Sequence, residues 1–232
     1  MRTAIVSAMH EELSAVLALL PDEQKQAAAG RDFWVGHLHG QEVVAVLSRI
    51  GKVAAATTAT VLIERFAVDR ILFTGVAGGI ARGVQRGDVV VADAFLQHDL
   101  DASPIFPRYE VPLYGTDRFG TDAALTQHLL AAVKRALPST RLHRGLVASG
   151  DRFVSSASES QALMHALPDV LAVEMEGAAF AQVCRDYGVP FAAVRTISDR
   201  ADDAAHGDFL SFIDDVASRH SAAIVEAFLR AA

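Results

Sequence analysis

Four acidic side chains stand where a short apolar run gives way to a polar or helical segment. Glu12 follows residues 2–8, Glu174 and Glu176 follow 170–173, and Asp199 follows 190–197. Burial disfavours a charged carboxylate, and one whose pKa is pushed towards neutrality suits general acid or base work. Each also has a plainer reading. In the helix expected over 10–20, the apolar stripe is Met9, Leu13, Val16, Leu17 and Leu20. Glu11 falls opposite that stripe, and Glu12 falls beside it, between core and solvent. A first-turn carboxylate can equally serve the helix dipole. In the helix expected over 175–187, Glu176 shares a face with Ala179, Phe180, Val183 and Tyr187. A carboxylate on that face needs a partner. Two vicinal sugar hydroxyls would satisfy it, and so would free N–H groups at the helix start. Asp199 follows Ser198, so it is either a proton donor or a turn cap.

Other motifs are weaker. The run Gly75-Val76-Ala77-Gly78-Gly79 lets a ligand approach the backbone, but no Lys-Ser/Thr follows it and its spacing is not the dinucleotide fingerprint. A tight turn is its default reading. His37 and His39 share a strand face, but no Cys or carboxylate cluster accompanies them in sequence. For His98, Asp99 and Asp101, loop hydrogen bonding is preferred over a metal. No metal or cofactor is expected.

The elements that must place these groups alternate. Strands are expected over 2–8, 33–39, 42–47, 70–74, 88–92, 144–148, 170–173 and 190–197. Helices are expected over 10–20, 52–66, 123–136, 159–166, 175–187 and 210–229. The segment 96–115, with three prolines, reads as a long functional loop. Strand and helix alternation with few hairpins predicts an α/β fold: a single-domain, three-layer sandwich over 1–232, with a mixed, mostly parallel sheet between helices. In such sheets ligands bind beyond the carboxyl ends of the strands, where the acidic residues stand.

Bulk properties bound the function. The chain has 232 residues, 51% of them hydrophobic, which is enough for one large core. Its net charge of −7 argues against a nucleic-acid partner. The apolar stretch 53–63 is bounded by Lys52 and Glu64, too short to cross a membrane, and His10, Glu11 and Glu12 interrupt the N-terminal apolar run before it could act as a signal. A lone Cys184 fits a reducing, cytoplasmic setting.

Eight stretches in order resemble one family: Ala8-Met9-His10-Glu11-Glu12, Ile50-Gly51-Lys52-Val53-Ala54-Ala55, Thr74 to Gly79, Gly87-Asp88-Val89-Val90-Val91, His98-Asp99-Leu100-Asp101, Ser149-Gly150-Asp151-Arg152-Phe153, Val173-Glu174-Met175-Glu176-Gly177 and Arg195-Thr196-Ile197-Ser198-Asp199. Together they resemble the methylthioadenosine/S-adenosylhomocysteine nucleosidases, within the purine nucleoside phosphorylase superfamily, over essentially the whole chain.

The resemblance implies a nucleoside phosphorylase-like fold and hydrolysis of an adenine nucleoside. It makes Glu12 the base that activates water, helped by Arg195 and Glu174. Met175 and Glu176 hold the ribose, and Met9 lines the ribose and alkylthio side. Val76, Ala77 and Gly78 approach the substrate. Phe153 stacks on the purine, the Val154 backbone meets the base edge, and Asp199, steered by Ser198, protonates N7. It also implies a homodimer in which Phe106, Tyr109 and Pro112 cover the neighbour's alkylthio group. Val76 stands where some members have Ser, and the loop 103–115 departs from several members, which leaves the 5′ substituent open among methylthio, homocysteinyl and futalosine-type groups. Related phosphorylases place an arginine where Phe73 stands, which favours water over phosphate; Arg49 and Arg82 are the remaining candidates for an anion. A binder without catalysis would need the ribose contacts but not both proton-transfer groups.

Overall fold

The computed structural model describes residues 1–212 and 216–230. Its centre is a ten-stranded mixed sheet. The buried run Arg2–Ser7 (β1) lies parallel to Gln41–Leu47 (β4) on one side and to Arg70–Gly79 (β5) on the other. Beyond β4 come Arg31–Leu38 (β3) and the edge strand Gln24–Ala28 (β2), both antiparallel. On the far side of β5 lie Val170–Glu174 (β9), Leu142–Ser149 (β8), Val89–Gln97 (β6) and Phe191–Asp199 (β10). A short Arg118–Gly120 (β7) pairs with β6. Because β10 also pairs in parallel with β5, the strands β5, β10, β6, β8 and β9 close into a ring.

Helices cover both faces, which makes three layers. The alternation of side chains along the strands sorts the core in two. Ala4, Val6, Ile71, Phe73, Phe191 and Ala193 face one cluster, which includes Ala55, Ala59 and Leu62 of Lys52–Glu64 (α2) and Ala178, Phe180 and Ala181 of Gly177–Tyr187 (α5). Ile5, Leu72, Ala192 and Val194 face the other. There they meet Leu13 and Val16 of His10–Leu17 (α1), Leu129 and Val133 of Ala123–Ala136 (α3), and Ile224, Val225 and Phe228 of Ser218–Arg230 (α7). Continuing the register, Gly75 and Arg195 fall on the first face, beyond Phe73 and Ala193.

Several boundaries differ from expectation. The run 75–79 is not a tight turn but the end of β5, paired with β10 over 75–78 and with β9 at 78–79. β6 passes the expected stop at Ala92 through a register shift between Ala92 and Ala94. β2 and β7 were not anticipated: β2 is exposed at four of five positions, and β7 has three residues, so neither carries a periodic apolar signal. The helix expected over 159–166 begins earlier, as Ala157–Ala166 (α4). In place of a single closing helix over 210–229, the described residues hold Ala205–Phe212 (α6) and α7, with 213–215 of the expected helix outside them. No helix among the described residues is long and apolar enough to cross a membrane.

Candidate active site

The carboxyl ends of β1, β5, β9 and β10 converge on an open cleft enclosing about 510 Å³. Its wall carries Met9, Val76, Ala77, Gly78, Phe153, Glu174, Met175, Glu176, Ser198 and Asp199. Glu12 lies just beneath. Far from the half-solvated edge expected of it, its side chain is wholly buried. The Met9 N–H reaches Glu12 Oε2 at 3.4 Å, and Oε1 has no partner among the described residues. Burial pushes Glu12 up to about 8, with Glu176 and Glu11 adding to the rise and Arg195 opposing it.

Arg195 is buried on β10 because the opposite charge and acceptors are built around it. Nη2 donates to Glu174 Oε2 at 2.8 Å, Nη1 to the carbonyls of Val194 at 3.1 Å and Phe73 at 3.3 Å, and the guanidinium lies 4.1 Å from the centre of the Phe73 ring. Glu174 is equally committed. It accepts from Ser149 Oγ, from the Glu176 N–H at 3.2 Å and from the Gly177 N–H at 2.9 and 3.0 Å, so it anchors the start of α5.

Glu176 does not sit on the apolar face of a helix, as its spacing suggested. It is the residue before α5, in non-helical backbone, and its carboxylate turns back to accept from the Gly51 N–H at 2.9 Å. Burial, then the neighbouring Glu174, raises it to about 7. Gly51 sits at φ +97°, a conformation glycine adopts without strain. A salt-bridged clasp holds that segment. Lys52 Nζ donates to Asp99 at 2.6 Å and to Gln97 at 3.0 Å, Asp99 accepts from the Asp151 N–H at 2.8 Å, and Asp151 accepts from the Lys52 N–H at 2.7 Å. The ends of β6 and β8 and the start of α2 are thereby tied together, and with them the segment carrying Phe153 and Val154. So Asp99 serves this clasp, while His37 pairs with Asp22 at 2.8 Å.

Asp199 closes the other end of the cleft. Oδ1 accepts from the Ala201 N–H and Oδ2 from Ser198 Oγ, each at 2.8 Å, and burial outweighs both in raising its pKa. A Cβ on Gly78 would lie 2.9 Å from Asp199 Oδ1, so only glycine leaves that carboxyl its place.

A cleft with one buried carboxyl below it and three along its wall is a place for proton transfer, and the chain's relatives point the same way. The sequence model of the phosphorylase superfamily matches residues 2–230. A 5′-methylthioadenosine/S-adenosylhomocysteine nucleosidase of Shewanella loihica is 35% identical over 232 residues, covering 99% of each chain. The chain belongs to this nucleosidase family. The crystal structure of the Neisseria meningitidis nucleosidase with methylthio-immucillin-A superposes with a TM-score of 0.94 at 33% identity, covering 100% of this chain and 99% of that one. The futalosine hydrolase of Helicobacter pylori superposes with a TM-score of 0.93 at 32% identity, covering 100% and 98%.

Against this nucleosidase background, the residues singled out by sequence divide into two groups. Glu12, Met9, Val76, Ala77, Gly78, Phe153, Glu174, Met175, Glu176, Arg195, Ser198 and Asp199 gather in or directly behind one cleft, and the buried Val154 lines its continuation beside Arg152. Phe106, Tyr109 and Pro112 do not reach the cleft of their own chain. Tyr109 packs with Ile80, Leu96 and Leu146 instead. Sequence reasoning gave no role to Ile50 or Phe209, both of which line the cleft. Phe209 meets Phe153 edge-on with ring centroids 5.8 Å apart. Its signal was hidden because α6 was not recognised as a separate helix.

Proposed function

We propose that this protein hydrolyses the N-glycosidic bond of 5′-methylthioadenosine and S-adenosylhomocysteine, releasing adenine and a 5-thio-substituted ribose. The reading rests above all on Glu12 and Asp199: two buried carboxyls, both raised, at one cleft that Glu176 also enters. Glu12 takes a proton from water as its oxygen bonds to C1′. The C1′–N9 bond breaks with its electrons going to adenine, and Asp199, held by Ser198, delivers a proton to N7. Charge on the oxocarbenium-like sugar is met by the carboxylates around it. Glu176 accepts from the ribose hydroxyls beside Met175, Met9 lines the ribose and alkylthio side, and Arg195 with Glu174 orders the water. Val76, Ala77 and Gly78 contact the substrate, Phe153 stacks on the purine and the Val154 backbone bonds its edge. The whole of 1–232 acts as one domain, without a cofactor, in methionine salvage in the cytoplasm.

Water rather than phosphate is the acceptor in this reading, because Arg195 is spent on Glu174 and Phe73 stacks under it. Free adenine should therefore form from methylthioadenosine in phosphate-free buffer, with free thio-ribose as co-product. Strict dependence on phosphate, with a sugar 1-phosphate as product, would identify a phosphorylase instead. The likeness to a futalosine hydrolase supports a second reading, in which a futalosine-type nucleoside is the substrate; it belongs in the same assay.

The proposed active form is a homodimer, with Phe106, Tyr109 and Pro112 covering the alkylthio group of the partner's substrate. Ile105 at 82% and Leu113 at 90% exposure in that same loop are apolar side chains that such a partner would cover.

The pH profile follows from the raised groups. Glu12 must be ionised to accept a proton, so kcat/KM should fall about tenfold per pH unit below about 8, and more steeply once Glu176 also protonates below about 7. Asp199 must carry its proton, so rising pH removes activity through that group. A profile flat down to about pH 5, as carboxylates of ordinary pKa would give, contradicts the assignment.

A further inference from the structure

Beside the cleft lies a second cavity of about 530 Å³, lined among others by His10, Arg31, Asp32, Trp34 and Arg49. The two cavities are lined by adjacent residues of the chain at two places. Met9 and Ile50 line the catalytic cleft, and their chain neighbours His10 and Arg49 line this one. Arg31 Nη1 donates to the Ala29 carbonyl at 2.8 Å and Nη2 to the Ala54 carbonyl at 3.1 Å, and Arg49 donates to the Gly30 carbonyl. Two guanidiniums are thus pinned on consecutive carbonyls, and burial together with the Arg49 charge holds Arg31 below the usual arginine range. Arg31 Nε is buried and has no hydrogen-bond partner among the described residues. The carboxylate in the cavity, Asp32, is paired with Lys25 at 3.2 Å. His10 opens α1, so the positive end of that helix dipole adds to the field.

Arg49 also sits at φ +65°, in the left-handed region that a non-glycine residue adopts only where its surroundings impose it. Nothing in the reaction at the cleft uses these cations. A substrate whose 5′ substituent runs out past Met9 and Ile50 would meet them.

We propose that His10, Arg31 and Arg49 form an anion-accepting subsite that takes the carboxylate at the end of a substrate's 5′ substituent. The proposal rests on the nucleosidase reading above and selects within it. A methylthio group ends short of the subsite and carries no charge. A homocysteinyl chain carries a carboxylate beyond its sulfur, and a futalosine-type nucleoside carries an aryl carboxylate on its 5′ side. The shared chemistry is a carboxylate meeting planar guanidinium forks.

The test compares kcat/KM of the full chain and two variants, Arg31→Gln and Arg49→Gly, towards four nucleosides: methylthioadenosine, S-adenosylhomocysteine, its decarboxylated analogue and aminodeoxyfutalosine. Glycine suits the left-handed backbone at 49, so Arg49→Gly removes the charge without straining the chain. Loss of a charge-assisted contact should lower kcat/KM about tenfold for the carboxylate-bearing substrate. Methylthioadenosine and the decarboxylated analogue should change by no more than about twofold, and their turnover certifies the folded site. A selective loss with S-adenosylhomocysteine identifies the homocysteinyl carboxylate as the ligand; one confined to aminodeoxyfutalosine identifies the aryl carboxylate. Equal changes across all four nucleosides overturn the subsite while leaving the nucleosidase reading intact. A parent protein that cleaves none of them overturns both.

Discussion

Asp199→Asn is expected to lower kcat for methylthioadenosine by roughly 10²–10⁴-fold, the range for loss of a general acid, while KM stays within a few-fold. The substitution is nearly isosteric, and the fold around it should hold. Asn can still accept from the Ala201 N–H through its carbonyl oxygen, and its amide can donate to Ser198 Oγ in place of the bond that runs the other way now. What it lacks is a proton acidic enough to pass to N7 as the base leaves. The KM–kcat split separates this role from a turn cap: a cap lost without chemistry would move stability and leave kcat alone. Steady-state rates of adenine release decide it. A variant with near-parental kcat would place the acid elsewhere, and the raised pKa of Asp199 would then be a consequence of burial and nothing more.

How far the sequence revealed the site depends on the kind of signal each residue carries. Asp199, Glu174 and Glu12 were visible because strand ends in α/β sheets collect ligands, and apolar runs ending in a carboxylate mark those ends. The depth of Glu12 was not visible. Helical periodicity places it beside the stripe of Leu13 and Val16, but α7 packs over α1 from far along the chain and seals that edge. Glu176 was misplaced for a related reason. Its spacing to Ala179 and Phe180 is helical, yet Glu174 takes the first free N–H groups of α5, and Glu176 is left outside the helix to meet Gly51. The strand character of 75–79 was masked by its glycines, which local propensity assigns to turns. Pairing with β10 overrides that preference, and the close approach of Asp199 and Ala201 makes glycine necessary at 78. Arg31 and Arg49 sit far apart in sequence on a hairpin and a strand-to-helix link, so nothing short of the tertiary fold brings them to one cavity.

Glu12→Gln is expected to cost catalysis as much as Asp199→Asn does, roughly 10²–10⁴-fold in kcat, because glutamine cannot take a proton from water. The same substitution should reveal what the base costs the fold. Glu12 has an ordinary carboxyl pKa near 4.5 when the chain is unfolded and about 8 when folded. A group raised on folding stabilises fully below its unfolded pKa and loses that contribution as pH rises through the folded one. Between about pH 5 and pH 8 the parent should therefore lose roughly 4 kcal/mol of stability through this group, and the glutamine variant should not. Any constant penalty for burying an amide is the same at both pH values, so the quantity to read is how the difference in Tm changes with pH. For a chain of this size it should shift in favour of the variant by roughly 10 °C across that interval. Thermal unfolding of both proteins at the two pH values measures it. A pH-independent difference would mean that Glu12 is ionised and satisfied in the folded state, by Arg195 and the Met9 N–H, and that its burial is no reservoir of basicity. A widening difference together with lost turnover would tie both to one cause: the protein keeps a carboxylate where water cannot solvate it, and the strength of that carboxylate as a base comes from the stability it forgoes.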